Sequence, residues 1–185
     1  MDTGISRFRV PHDFYPTPPE GTRALLSVER FSGSIWEPAC GDGAISKVLA
    51  AHGYQVVSTD LIQRGYGIGG INFLAEEHTR ARNIITNPPY GRGLADAFVR
   101  RALHLVEPTG GSVAMLLNLA SLAHPLRHHQ WTRRPPAAVY ILDELTCWPN
   151  GIERGFPAEH RYCWAVWKAG HVGRPTLWWL STANT

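Results

Sequence analysis

The sequence predicts an α/β fold, a three-layer sandwich built on a mostly parallel sheet that ends in an antiparallel hairpin. Three observations carry this. Short apolar runs at residues 34–37, 54–60, 83–86 and 112–119 alternate with helix-patterned stretches at 44–52 and 94–106, the alternation expected of a parallel sheet covered on both faces. The first of these runs passes directly into the glycine-rich turn Gly41-Asp42-Gly43, which opens a helix. Late in the chain, residues 138–142 and 162–167 read as strands joined by an irregular loop at 143–161, as in a hairpin with a long connection.

At 185 residues the chain reads as one domain, large enough for a real core and too short for two full ones. A hydrophobic content of 44% with 18% charged residues excludes a disordered chain. The net charge of +3 permits nucleic-acid binding without arguing for it. Cys40, Cys147 and Cys163 are odd in number and widely spaced. They fit neither a disulfide framework nor a zinc motif, which points to a reducing cytosol. No apolar run approaches the ~20 residues of a membrane span, and no signal peptide is visible.

Residues 1–12 read as a loose arm. Asp13-Phe14-Tyr15-Pro16-Thr17-Pro18-Pro19-Glu20 then leads into a helix opened by its prolines. In Glu37-Pro38-Ala39-Cys40-Gly41-Asp42-Gly43 the glycines allow a tight turn and close approach of a ligand to the backbone at a helix N-terminus. The spacing differs from the Gly-x-Gly-x-x-Gly dinucleotide fingerprint. Asp60 ends the second strand, 18 positions after Asp42 and near the offset at which an acid meets ribose hydroxyls in βαβ folds. Residues 64–70 are a glycine-rich loop. Gly91-Arg92-Gly93 precedes a helix with apolar residues at 94, 98, 102, 105 and 106. Residues 120–136 read as a loop, whose His124, His128, His129, Arg127, Arg133 and Arg134 are either a solvated basic surface that touches phosphate or, much less in keeping with the rest of the chain, a metal cluster. Trp178-Trp179 read as a closing strand or packing edge.

The chemically informative stretch is Asn87-Pro88-Pro89-Tyr90, directly after the buried run Asn83-Ile84-Ile85-Thr86. Asn87 precedes a proline and is pushed toward extended geometry, while each proline holds its own φ. The outcome is a stiff platform at a strand's carboxyl end, where open α/β sheets bind ligands. It offers an amide oxygen, a proline carbonyl and an aromatic ring. Such groups suit a planar exocyclic amine, whose lone pair is delocalised and must be turned out of the ring before it attacks. Two acceptors could each take one N–H hydrogen, and Tyr90 could stack on the base at about 1–3 kcal/mol.

On these residues the chain resembles the S-adenosylmethionine-dependent amino-methyltransferases, and within them the small phage-type DNA adenine methyltransferases with γ-like motif order. The resemblance runs from about Asp13 to Trp179 and is specific at residues 37–43 and at Asn87, Pro88, Pro89 and Tyr90. It implies a Rossmann-like methyltransferase sandwich with seven strands, S-adenosylmethionine as cofactor, and methyl transfer to the N6 amino group of a DNA adenine flipped into the pocket. It places Tyr15, Thr17 and Pro18 at the methionine end of the cofactor, with Glu37, Ala39, Cys40, Gly41, Asp42 and Gly43 around its amino-acid end, Asp60 at the ribose and Leu61 also against the cofactor. Asn72 stands where the family has an aspartate against the cofactor's adenine, so the acceptor remains without its charge. Phe73 is either a wall of that adenine pocket or a core residue. From the 143–161 loop, Phe156 or its rival Trp148 would clamp the flipped base, unless both plug the core, and Arg92 would contact the substrate. No metal is implied. A separate target-recognition domain has no room within 1–185, so loops 64–70 and 120–136, low specificity or a partner protein would account for target choice. RNA and protein glutamine remain alternative acceptors, as does a non-catalytic nucleic-acid-binding module.

Overall fold

A computed structural model describes residues 14–153 and 160–183. Its centre is a seven-stranded sheet in the order β2-β1-β3-β4-β6-β5-β7. The strands are β1 (Ile35–Glu37), β2 (Val56–Ser58), β3 (Asn83–Thr86), β4 (Ser112–Asn118), β5 (Ala138–Leu142), β6 (Tyr162–Lys168) and β7 (Thr176–Leu180). β6 runs antiparallel to both β4 and β5, and every other pairing is parallel. The hairpin expected from residues 138–142 and 162–167 is the β5–β6 pair. It does not end the sheet, because β7 lies outside it, parallel to β5.

The strands are apolar on both faces because both faces are covered. In β4, Ala114 and Leu116 face one core while Val113, Met115 and Leu117 face the other, and in β6 Trp164 and Val166 oppose Cys163 and Ala165 in the same way. Helices α1 (Pro19–Val28) and α2 (Ala44–Ala51) close the first face with Leu25, Leu26, Ile45 and Leu49. Helix α3 (Leu94–Val106) closes the second with Phe98, Val99, Ala102 and Leu105. Its bounds match the apolar spacing read from the sequence.

Residues 120–136, expected to be a loop, contain a 3-10 segment (Leu119–Ala123) and a helix, α4 (Pro125–Arg133). Two inward residues explain the difference. Arg127 is 7% exposed and pairs with Asp96 on α3, while Trp131 meets Trp167 edge-on at 5.1 Å. An arginine on the inner face hides the apolar stripe that a sequence reading looks for. Among the described residues no three His, Cys, Asp or Glu side chains converge as metal ligands, and no helix is long and apolar enough to cross a membrane.

The strand starts are tied by Asn83, which is 1% exposed. Its amide donates to the Ser32 and Ser34 carbonyls at 2.8 and 3.1 Å and accepts from Ser112 N at 2.9 Å. Beside it, a Cβ at Gly111 would lie 1.9 Å from the Arg82 carbonyl oxygen. Gly111→Ala is therefore expected to destabilise the protein by about 2–3 kcal/mol, since backbone must move to admit the methyl. At about 2–4 °C per kcal/mol for a chain of this size, a thermal melt should register the loss clearly.

Candidate functional site

A cavity of about 800 Å³ opens at the carboxyl ends of β1 and β3. These neighbours flank the point where chain order reverses, β1 leading outward to β2 and β3 to β4. Open α/β sheets bind ligands at such a switch point, and the volume falls within the roughly 300–1,000 Å³ of small-molecule sites. Of the residues singled out from the sequence, Tyr15, Thr17, Glu37, Ala39, Cys40, Gly41 and Asp42 line it. So do Asp60, Leu61, Asn72, Phe73, Asn87 and Pro89. Pro18, the N-cap of α1, and Gly43, the N-cap of α2, stand behind these walls.

The loop after β1 turns through two left-handed glycines, Gly41 at φ +56° and Gly43 at φ +84°. A Cβ would strike the Phe14 ring at 2.8 Å from Gly41 and the Tyr66 ring at 2.5 Å from Gly43. Asp42 Oδ1 accepts from Ala44 N at 3.2 Å, within the first turn of α2. Beneath the loop, Glu37 is 1% exposed and accepts from the Ser46 hydroxyl, which lies 2.6 Å from that of Ser58. Burial pushes the Glu37 carboxyl well above the usual carboxylate range, against the Ser46 hydrogen bonds and with help from Asp60 and Asp42. Cys40 is also buried, and its thiol is pushed up to about 12 by desolvation and then by the Glu37 and Asp60 carboxylates. A thiol so placed is a packing group, not a nucleophile.

Asp60 is oriented by backbone. Its Oδ2 accepts from Gly41 N and its Oδ1 from Ile62 N, both at 2.8 Å, which leaves each oxygen a further lone pair toward the cavity. Asn72 Oδ1 accepts from Leu74 N at 3.1 Å and so caps the 3-10 turn Phe73–Ala75. Phe73 stands at the boundary between cavity and core. It lines the cavity, and it packs in the core against Trp36 at 5.2 Å and Phe98 at 4.8 Å.

The Asn87 amide is held from two sides. Its Nδ2 donates to the Tyr15 carbonyl and to the Thr17 hydroxyl, each at 3.1 Å, and its Oδ1 lies 2.5 Å from the Tyr90 hydroxyl. That hydroxyl is also 3.0 Å from the Leu116 carbonyl, and the Tyr90 ring packs against both cores, 6.3 Å from Tyr162. Tyr90 thus faces Asn87 with its oxygen and the core with its ring, not the cavity with its face. Pro88 is buried. Trp148 is half-buried ahead of the turn Pro149–Gly151 and lies outside the cavity lining. The turn docks on the amino-terminal segment, Asn150 N donating to the Phe14 carbonyl at 3.0 Å. Phe156 and the Arg92 side chain lie outside what the structure describes.

Among the lining residues that the sequence reading did not single out, Phe14 and Arg64 stand together. Phe14 covers the glycine loop, and the Arg64 guanidinium stacks 4.2 Å from the centre of its ring. Arg64 opens the glycine-rich loop that the sequence reading offered for target choice, and it belongs to the cavity wall. The available signal was an aromatic directly before Tyr15-Pro16-Thr17 and a lone arginine four positions after Asp60.

No family model matches the sequence, and no curated protein matches it. Solved structures do. A Listeria monocytogenes protein assigned as a class I S-adenosylmethionine-dependent methyltransferase superposes with a TM-score of 0.63 at 15% identity, over 98% of this chain and 69% of that one. The modification subunit of a protein assigned as a type I restriction enzyme from Vibrio vulnificus gives 0.61 at 15% identity, over 91% of this chain and 47% of that one. A Pyrococcus horikoshii protein assigned as an RNA methyltransferase gives 0.60 at 13% identity, over 90% and 93%. The chain spans about half the length of the Vibrio subunit. At such identities the likeness concerns the fold, and this chain has the Rossmann-like sandwich with a mostly parallel seven-stranded sheet that these structures share.

Proposed function

We propose that this chain is an S-adenosylmethionine-dependent amino-methyltransferase acting on the N6 amino group of adenine in DNA. The observation that carries the reading is the Asn87 amide, held at the edge of a cavity of about 800 Å³ with its oxygen turned away from the amino-terminal segment. The cavity suits the cofactor. Asp60 offers lone pairs for ribose hydroxyls, the Gly41–Gly43 backbone allows close approach, and Phe73 with Asn72 supplies an apolar wall and an acceptor for an adenine ring. Glu37 stands where a cationic amino group would gain most from a buried carboxylate.

When bound, S-adenosylmethionine supplies an electrophilic methyl group on its sulfonium. The protein's part is to hold and orient the amine. Asn87 Oδ1 accepts one amino hydrogen, and the Pro88 carbonyl takes the other. Withdrawing both favours a pyramidal nitrogen whose lone pair leaves the ring plane. Holding the reacting groups in line can lower the barrier by about 7–11 kcal/mol in favourable cases. The Cys40 thiol is buried and protonated, which is compatible with attack by an amine and not with thiol addition to a pyrimidine carbon. An adenine inside a duplex cannot reach such a site, so it leaves the stack at a cost of a few kcal/mol. Tyr90 would have to swing its ring off the Asn87 oxygen to stack on that base.

DNA as the acceptor rests on the motif resemblance, and the likeness to a restriction-modification subunit is in keeping with it. RNA is the second reading, favoured by the likeness to a protein of similar length assigned as an RNA methyltransferase. One experiment separates them. Methyl transfer from labelled S-adenosylmethionine is measured to unmethylated DNA, to RNA and to a glutamine peptide. Label in DNA adenine is the expected result. Label in RNA or peptide would keep the chemistry and replace the substrate. Cofactor binding with no transfer to any acceptor would leave a binding module.

A further inference from the structure

The amino-terminal segment reaches the Asn87 side chain across 70 residues of sequence, and the contact is specific. Thr17 is 2% exposed, and its hydroxyl accepts one Nδ2 hydrogen of Asn87 while the Tyr15 carbonyl accepts the other. Two acceptors on one side leave the amide a single orientation, because turning it over would set Oδ1 against a carbonyl lone pair. Thr17 cannot easily adjust. Its methyl group packs near the Gly21 side of α1, and its hydroxyl is a hydrogen-bond neighbour of the buried Cys147 thiol, as is the Tyr162 hydroxyl. One threonine therefore joins the amino-terminal segment, the motif asparagine and the loop after β5.

We propose that Thr17 is a positioning residue for Asn87 and not a contact to the cofactor, its hydroxyl holding the amide so that Oδ1 alone can face a target amine. The inference rests on the reading of Asn87 as the acceptor for that amine. Without the Thr17 hydroxyl the amide is held on that side by the Tyr15 carbonyl alone and can tilt, which moves Oδ1 off the line to the amine. The effect belongs to the transfer step, where a misplacement of about 1 Å can cost on the order of 100-fold in rate. Although Thr17 borders the cavity, it is 2% exposed and its hydroxyl is engaged by Asn87, so removing that hydroxyl should leave cofactor affinity nearly unchanged.

Thr17→Val keeps the shape and removes the hydroxyl, and Thr17→Ser keeps the hydroxyl. For Thr17→Val, kcat is expected to fall by about 10–100-fold at saturating cofactor and DNA. Its S-adenosylmethionine Kd by calorimetry should stay within about twofold, with Thr17→Ser restoring most of the rate. A second readout needs no turnover. The Asn87 side-chain NH₂ should give two exchange-protected signals by NMR in the wild type and in Thr17→Ser, and lose one protection in Thr17→Val. A tenfold or greater rise in Kd with kcat preserved would overturn the proposal, assigning Thr17 to the cofactor. Unprotected Asn87 amide hydrogens in the wild type would also overturn it, even if Thr17→Val does not fold. A wild type that methylates no acceptor would refute the functional reading, while the NMR comparison would still decide the role of Thr17.

Discussion

Asn87→Ala is expected to lower methyl transfer by about 100–1,000-fold, the scale on which removal of one preorganised polar group at a reacting centre is felt. The substitution deletes an amide that is oriented from outside the Asn-Pro-Pro-Tyr stretch, by the Tyr15 carbonyl and the Thr17 hydroxyl. Cofactor affinity should change by less than about threefold, because Asn87 acts on the amine and not on uniform binding. Some stability is also lost, since Thr17 and Tyr90 each lose a partner, at about 1 kcal/mol per hydrogen bond. Single-turnover transfer with labelled cofactor, beside a thermal melt, separates the two effects. Tyr90→Phe is the informative control. It releases Asn87 Oδ1 from the phenol while keeping a ring that can stack, so transfer should survive within about tenfold. If Asn87→Ala transferred methyl groups as fast as the wild type, the stretch would be a rigid strand terminus and nothing more.

Glu37→Gln should make the protein more stable and bind the cofactor less well. The carboxyl is 1% exposed, and desolvation dominates its environment, so its pKa in the folded protein lies well above the usual carboxylate range. A group raised on folding contributes stability that is fully present below its unfolded pKa. That contribution is lost as pH rises through the folded value. Above its unfolded pKa the wild type must therefore either take up a proton or bury a charge on folding, which the Glu37→Gln variant need not do, while the amide oxygen of the variant can still accept from Ser46. Gains of about 0.5–2 kcal/mol are usual where a functional group strains a fold, and at about 2–4 °C per kcal/mol they are measurable as a rise in Tm that grows with pH.

The cofactor side has the opposite sign. A charged hydrogen bond is worth about 1.5–3 kcal/mol, so loss of the carboxylate should weaken S-adenosylmethionine binding by about 10–100-fold. Because the bound cation favours the carboxylate, binding by the wild type should release a proton at pH values near the raised pKa. Its affinity should therefore climb with pH, while that of Glu37→Gln stays flat. Calorimetry in buffers of different ionisation enthalpy reads the proton directly. Unchanged affinity in the variant would remove Glu37 from the cofactor site, and a drop in Tm would overturn the cost assigned to its burial.

Much of the fold was legible because its signals are local. The apolar run 83–86 became β3 and the spacing in 94–106 became α3 with the same bounds. The left-handed angles at Gly41 and Gly43 are what a tight strand–helix turn requires of glycine. Helix α4 was illegible for an equally definite reason. Arg127 reads as solvent-facing, and only the presence of Asp96 on another helix allows it to be buried. In the same way β7 carries Trp178 and Trp179 at 61% and 62% exposure, so its place beside β5 could not be read from a buried pattern.

The sequence by itself determined the chemistry on offer: an amide before two prolines, a glycine turn after a strand, and an acid at the next strand's end. These follow from steric and covalent rules that act over a few residues. Tertiary structure alone decided how the groups are aimed. Asp60 is turned by the Gly41 amide 19 residues away, and Asn87 by Tyr15 and Thr17 across 72 and 70. It also laid Phe14 and Arg64 over the cavity and drew the Tyr90 hydroxyl toward Asn87. A hydrogen bond's direction depends on where both partners stand, and chain segments so far apart meet only when the sheet brings its strand ends to one edge.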